Sequence, residues 1–162
     1  MANALVTTDT TLPTTTKHKL AQQEFVTLRL GNQLFGISVM AVQDVMRKQP
    51  IASIPLAPSV IAGSLNVRGR IVTALNMRKL LGLGDYPHPE TVMKVVVEHN
   101  HELYALMIDS VGDVMALPIE KFEKVPANLD PAWRGLAAGV FKLEHELLII
   151  LDVGSVIARI LE

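Results

Sequence analysis

Short runs of alternating apolar and polar residues begin at Glu24. In the stretch E-F-V-T-L-R-L, Val26, Leu28 and Leu30 fall on one face of a strand. The turn sequence G-N-Q then separates this strand from L-F-G-I-S-V, which is the pattern of a β-hairpin. The chain is therefore predicted to be mainly β from its first patterned residue onward.

Helical signals interrupt the strand pattern in a few short segments. Val39, Val42 and Met46 have helical spacing, which predicts a short helical turn. Pro58 and Gly63 stand near the two ends of A-P-S-V-I-A-G-S-L and predict a short helix there. The strand-like R-I-V-T-A-L-N is followed by M-R-K-L-L-G-L-G, which predicts a brief helix ending in glycines.

The pattern repeats along the chain. Leu34 to Met46 aligns with Leu103 to Met115, including an identical D-V-M in both copies, and Ile71 to Leu81 aligns with Leu147 to Ile157. Two halves of about five short strands each predict two small antiparallel barrels, because closure removes the exposed edges that a five-stranded sheet would leave. Chance similarity between apolar strands is the alternative.

The predicted boundaries follow from this repeat and from the Gly- and Pro-rich connector G-L-G-D-Y-P-H-P-E. The first subdomain covers about 24–85 and the second about 90–150. A C-terminal helix over about 153–161 is expected to pack back on the first subdomain. Residues 1–23, rich in threonine, are predicted to be a flexible tail, with a docking peptide as the alternative.

Composition excludes several classes of function. A net charge of −1 and 4% aromatic residues disfavour nucleic acid as a partner. The absence of cysteine excludes disulfides and thiolate metal sites. The N-terminus lacks the pattern of a secretory signal, and no apolar run is long enough to span a membrane, so we expect a cytoplasmic protein without membrane insertion.

Catalytic and cofactor motifs are not evident. His99 and His101 form an H-x-H at a predicted hairpin tip, where polar residues are common, so no metal is predicted. Asp44 and Asp113, the two D-V-M carboxylates, are better explained as turn or cap residues than as acid-base catalysts. The motifs therefore give no evidence for a cofactor or for catalysis, and a small β-barrel enzyme is the weakest of the alternatives.

Arg68 and Arg70 flank Gly69 in N-V-R-G-R, a stretch without a nucleophile or a phosphate loop. Gly69 allows either a positive φ or a close backbone approach. Each guanidinium must find a carboxylate, a carbonyl or a partner protein. A surface ion pair of little energetic value and a residue that recognises a partner are the two interpretations.

From Glu24 to the C-terminus, the sequence resembles CheW-type chemotaxis coupling proteins. F-G-I-S-V-M-A-V-Q-D-V is similar to the family's Y-G-I-x-I-x-x-V-Q-E-I, and A-G-S-L-N-V-R-G-R-I-V-T-A-L-N-M-R to its G-x-x-N-L-R-G-x-I-V-P-V-x-D-L-R. L-M-I-D-S-V-G-D-V-M-A-L is similar to its V-D-x-V-x-D-V. The resemblance implies two Src-homology-3-like barrels around a shared core.

The resemblance also implies an adaptor without enzymatic activity or cofactor, which couples the cytoplasmic tips of chemoreceptors to the regulatory domain of a CheA-type histidine kinase. Val42 and Asp44 match positions at the family's receptor-facing groove. Asn66, Arg68 and Gly69 match N-L-R-G, whose arginine is implicated in receptor and kinase coupling. Recruitment to receptor arrays is implied, and weak self-association there is left open. A pilus or other non-flagellar pathway is the alternative output.

Two departures from the family pattern concern the strand after this motif. The family's Pro and Asp are Thr73 and Asn76 here, and Asn76 falls opposite Asp152 in the internal repeat. An amide cannot make the same charge-assisted hydrogen bonds as a carboxylate. If that carboxylate orders the junction between the barrels, we expect this chain either to couple more weakly or to choose a different kinase.

Overall fold

The computed structural model describes residues 21–47 and 49–161. Its strands are β1 (Gln22–Leu30), β2 (Gln33–Ser38), β3 (Val42–Met46), β4 (Ile61–Val67), β5 (Arg70–Asn76), β6 (Met93–His99), β7 (Glu102–Ile108), β8 (Ser110–Pro118), β9 (Ala137–Lys142) and β10 (Leu147–Leu151). The helices are α1 (Met77–Leu80), α2 (Pro131–Arg134) and α3 (Val153–Leu161), with 3₁₀ turns at Val39–Ala41, Pro89–Thr91 and Ile119–Lys121. Most of the predicted tail lies outside the described residues, although β1 begins inside it.

The strands form two five-stranded sheets. The order in the first sheet is β8-β1-β2-β10-β9, and in the second sheet it is β3-β6-β7-β5-β4. Neighbouring strands are antiparallel except for the parallel pairs β2 with β10 and β5 with β7. The predicted mainly β fold, with two five-stranded units and a few short helices, is confirmed.

The two sheets preserve the internal repeat but exchange strands. Replacing β1 to β5 by β6 to β10, and the reverse, converts the strand order of one sheet into that of the other. Each repeat gives its first two strands to one sheet and its last three to the other. The predicted subdomains over 24–85 and 90–150 are therefore wrong as units in space, because a tandem repeat in sequence does not reveal that its copies exchange strands.

Both faces of the central strands are buried, which explains their uninterrupted apolar runs. In β6, Val95 and Val97 belong to a core shared by the two sheets, whereas Val96 belongs to a separate cluster within the second sheet. Leu148–Ile150 divide in the same way between the shared core and the interior of the first sheet. Each sheet therefore curls around an interior of its own and also packs against the other.

Two of the predicted helical segments are different in the structure. The segment from Pro58 to Gly63 does not form a helix, because Ile61 onward pairs with β5 as a strand and Gly63 passes too close to the Ala52 carbonyl for a side chain. Helical structure after β2 is confined to the 3₁₀ turn, and the following residues pair with β6. The brief helix that ends in glycines forms as predicted, as α1.

Helix α3 follows directly on β10, at the bounds expected from sequence. It buries Val156 and Ile157 in the core shared by the two sheets. The helix therefore packs on a core built from both repeats and not on one of them. Within the part of the chain that the structure describes, no helix is both long and apolar enough to cross a bilayer.

Candidate functional site

The turn between β4 and β5 presents the first arginine of N-V-R-G-R. Arg68 and Gly69 have φ values of 51° and 85° and form a two-residue hairpin loop, with Val67 paired to Arg70. Positive φ at both central residues is typical of a type I′ turn, which favours Asn-Gly or Asp-Gly. The glycine is required by its φ alone, because an added Cβ would meet nothing within 4 Å.

Asn66 stabilises this turn from the end of β4. Its Oδ1 accepts a hydrogen bond of 2.9 Å from the Gly69 backbone N–H. A left-handed conformation costs a residue other than glycine about 1 kcal/mol. Arg68 therefore occupies a position where arginine is not the best residue for the fold, while its side chain is 82% exposed.

Asp44 lies on β3, at the opposite edge of the same sheet, and forms an ion pair with the arginine of the turn. Arg68 Nη2 is 3.1 Å from Asp44 Oδ2, and the other carboxylate oxygen accepts a hydrogen bond of 2.8 Å from the Val45 backbone N–H. An ion pair between the two edge strands requires the sheet to curl until its edges approach. Sequence reasoning placed the two residues in separate motifs, and the structure brings them together.

Val42, the remaining predicted site residue, begins β3 two positions before Asp44. Its side chain is half-buried against the shared core. Ser38 and Ala41, earlier in the same segment, line an apolar groove of about 320 Å³ whose lining also includes Phe141 and Ile150. Along the chain, Val42 therefore stands between the groove-lining Ala41 and Asp44, which pairs with Arg68.

The family of the protein follows from its similarity to known proteins. The sequence profile of the family described as CheW-like domain matches residues 24–161. The chain belongs to this family. The similarity to CheW-type coupling proteins expected from the motifs is therefore confirmed.

Several curated relatives match this CheW-like chain over most of their length. Chemotaxis protein CheW of Klebsiella aerogenes is 25% identical over 136 residues, which cover 84% of this chain and 82% of the relative. Protein PilI of Pseudomonas aeruginosa is 27% identical over 135 residues, with 80% and 76% covered. The crystal structure of the scaffolding protein TtCheW from Thermoanaerobacter tengcongensis has the same fold, with a TM-score of 0.73, 23% identity and coverage of 81% and 84%.

Arg70 and Asn76 have local roles that the structure defines. Arg70 Nη2 donates a hydrogen bond of 3.3 Å to the His101 carbonyl in the neighbouring hairpin turn. Asn76 is the N-cap of α1, and its Oδ1 accepts a hydrogen bond of 3.0 Å from the Lys79 backbone N–H. Asparagine and aspartate are similarly good N-caps, so the departure from the family's Asp preserves this role.

Sequence reasoning missed exposed apolar residues beside the site. Ile71 is 78% exposed and stands opposite Asn66 in the pairing of β4 with β5, and Met40 is 88% exposed in the 3₁₀ turn before Val42. A large apolar side chain in an outward-facing position is a signal for partner binding, but an apolar run in the sequence does not show which face is outward.

A buried ion pair was also missed. Arg78, in α1, binds both carboxylate oxygens of Asp109, with Nε 2.8 Å from Oδ1 and Nη2 2.7 Å from Oδ2. The hydrogen bond from Arg78 holds the pKa of the Asp109 carboxyl below its usual value, and the same contact raises the pKa of Arg78. In the sequence, Arg78 and Asp109 each stand in a motif similar to the family pattern, but the two motifs are separate and nothing in them pairs the two residues. No group of three His, Asp or Glu side chains suited to a metal occurs among residues 21–47 and 49–161.

Proposed function

We propose that this CheW-like chain is a chemotaxis adaptor that couples chemoreceptor cytoplasmic tips to the regulatory domain of a CheA-type histidine kinase. The observation that carries the proposal is the match of the family profile to residues 24–161, nearly the whole patterned chain. The adaptor works in the cytoplasm at membrane-associated receptor arrays and performs no catalysis itself.

The arginine turn and the neighbouring groove form the partner-binding surface in this proposal. Arg68 is exposed on a turn that would be less strained with asparagine, and Asp44 holds its guanidinium in one place. Exposed charges at an interface act mainly on specificity and on the rate of association. Ile71, on the strand that follows the turn, and Met40, in the 3₁₀ turn before β3, supply exposed apolar contact area.

A pilus-associated chemosensory pathway is a second candidate setting for the same adaptor. The similarity to Protein PilI, at 27% identity, favours it, whereas the other relatives reported above are named CheW. Reconstitution with flagellar-type and with pilus-type receptors and kinases would separate the two settings, because stimulation of the kinase would occur only with the cognate set.

The test is kinase autophosphorylation in membranes that carry the receptor, with and without the chain. We expect the unmodified chain to stimulate the kinase and Arg68→Glu to lower apparent affinity about tenfold, which corresponds to about 1.4 kcal/mol. The fold should stay intact, because the side chain is exposed and surface substitutions rarely change stability by more than about 0.5 kcal/mol.

Arg29→Glu is the matched control. Arg29 also forms an exposed ion pair, 2.9 Å from Glu146, but on the first sheet. Equal loss in both variants would show that any broken surface pair disturbs the adaptor and would remove the turn from the proposed site. Full kinase stimulation by Arg68→Glu would also remove the turn from the proposed site. Binding of the unmodified chain without any effect on the kinase would contradict the proposed coupling.

A further inference from the structure

Within the described residues, the chain passes between the two sheets at two places. The first crossover, Val39–Ala41, joins β2 to β3, and the second is the single residue Asp109 between β7 and β8. In the internal repeat, Asp109 aligns with Met40. The two crossovers therefore occupy equivalent places in the fold and can be compared directly.

The second crossover is held by charge-assisted hydrogen bonds that join both sheets. Arg78, which follows β5 of the second sheet, binds Asp109 through two hydrogen bonds. Asp109 Oδ2 also accepts a hydrogen bond of 2.8 Å from the Gly31 N–H, in the turn between β1 and β2 of the first sheet. One carboxylate thus connects an element from each sheet at the point where the chain crosses.

Arg78 also fixes the connector between the repeats. Its Nη1 donates hydrogen bonds to the carbonyls of Leu83, at 3.0 Å, and Asp85, at 3.1 Å. Its guanidinium lies 5.7 Å from the centre of the Tyr86 ring, and the Tyr86 hydroxyl donates a hydrogen bond of 2.6 Å to the Met107 carbonyl. Because Arg78 is only 9% exposed, these contacts are shielded from water and are stronger than equivalent contacts on the surface.

The first crossover has neither member of this pair. Met40 takes the place of Asp109, and Gly154 takes the place of Arg78 in the repeat alignment. The apolar groove lies at this crossover, where its lining includes Ser38, Ala41, Asp152 and Val153. The crossover between β7 and β8 is therefore held by an ion pair, whereas the equivalent crossover between β2 and β3 has no such pair in the described part of the chain and lies beside a groove.

The geometry points to Arg78 and Asp109 as positioning residues that fix the two sheets to each other at the second crossover and confine relative movement of the sheets to the first. The groove of the proposed partner-binding surface lies at that first crossover, so partner binding in the groove can act on the sheet orientation. This last consequence depends on the proposed function, whereas the fixed junction itself does not.

The experiment measures distances between the sheets in the isolated chain. Because the chain has no cysteine, paired cysteines introduced at Ala116 in β8 and Glu98 in β6, both exposed, can carry spin labels without further changes. Pulsed electron resonance should give a narrow distance distribution. Asp109→Asn, which keeps the shape of the side chain and removes its charge, should widen that distribution about twofold or more, because the amide offers only one acceptor oxygen for the two hydrogen bonds that Arg78 donates.

Two controls separate a positioning role from a general loss of structure. Glu146→Gln removes the charge from an ion pair within the first sheet and should leave the distribution unchanged. Labels at Ala116 and Lys142, both in the first sheet, should keep a narrow distribution in Asp109→Asn. A folded Asp109→Asn with an unchanged distance between the sheets would overturn the proposal, and so would equal widening within the first sheet.

Hydrogen exchange on the unmodified chain gives a second test that does not depend on the folding of a variant. The backbone N–H groups of Gly31 and Asp109 should exchange at least about 100 times more slowly than that of Met40. Their hydrogen bonds break only when the contacts of the second crossover come apart. Similar exchange rates at the two crossovers would overturn the proposal. Kinase stimulation enters neither test, so the adaptor function can fail while the fixed junction is confirmed.

Discussion

The two copies of D-V-M occupy equivalent positions in the repeat but differ in their surroundings. Asp44 meets Arg68 across the second sheet, at 3.1 Å. Asp113 is exposed, and no ion pair within 4.0 Å includes it among the residues that the structure describes. The corresponding loop of the first sheet is Leu143–Glu146, longer than the arginine turn and acidic. The two sheets thus have equivalent strands but different turns. The second sheet has a two-residue turn with Arg68, whereas the first has a longer, acidic loop that offers Asp113 no arginine.

Breaking the fixed junction should have the largest effect on stability. Arg78→Leu leaves the Asp109 carboxylate partly buried without its partner, which should lower the free energy of unfolding by about 3 kcal/mol. Met40→Leu, at the equivalent open crossover, should change it by less than about 0.5 kcal/mol. Urea denaturation measures both, and equal effects would show that the two crossovers do not differ as the contacts indicate.

Lowering the pH tests the ion pair between Arg78 and Asp109 without removing either side chain. Because Arg78 lowers the pKa of Asp109 in the folded chain, the stabilisation is present above the usual pKa of about 4 and is lost as the pH falls through that value toward the lower folded pKa. The difference in unfolding free energy between the unmodified chain and Asp109→Asn should therefore be largest near pH 7 and shrink below about pH 4. A difference that stays constant with pH would contradict this assignment.

The helix cap in the first repeat should have an intermediate effect. Asn76→Ala removes the acceptor for the Lys79 N–H and should cost about 1 kcal/mol of stability, whereas Asn76→Asp, the residue of the family pattern, should be neutral within about 0.5 kcal/mol. Thermal unfolding checks both values. If Asn76→Asp instead strengthens kinase stimulation, the family's carboxylate does more than cap a helix, as the sequence pattern first suggested.

The exposed ion pair of the site should have the smallest effect on stability. A double-mutant cycle with Asp44→Asn and Arg68→Gln should give a coupling free energy of about 0.5 kcal/mol in urea denaturation. Asp113→Asn combined with Arg68→Gln is the matched control and should show no coupling. A coupling above about 2 kcal/mol would mean that the pair holds the sheet closed, and its role would then be structural.

Much of the site could be read from the sequence because its parts are local. N-V-R-G-R contains the whole turn: the glycine that accepts a positive φ, the asparagine that accepts its N–H, and the arginine that the turn exposes. The similarity to the family assigned the motif, and the repeat indicated two five-stranded units. Each of these features depends on residues that are neighbours along the chain.

Contacts between distant segments were decided only by the tertiary structure. Three features join residues at least 24 positions apart. They are the strand exchange between the repeats, the ion pair of Asp44 with Arg68, and the ion pair of Arg78 with Asp109. Hydrophobic periodicity shows which residues are buried but not which strand becomes the neighbour, because a strand buried on both faces is an apolar run whatever its partner is. The sequence by itself therefore determined the type of fold and the two-residue turn that exposes Arg68, while packing decided which of the two crossovers is held by an ion pair.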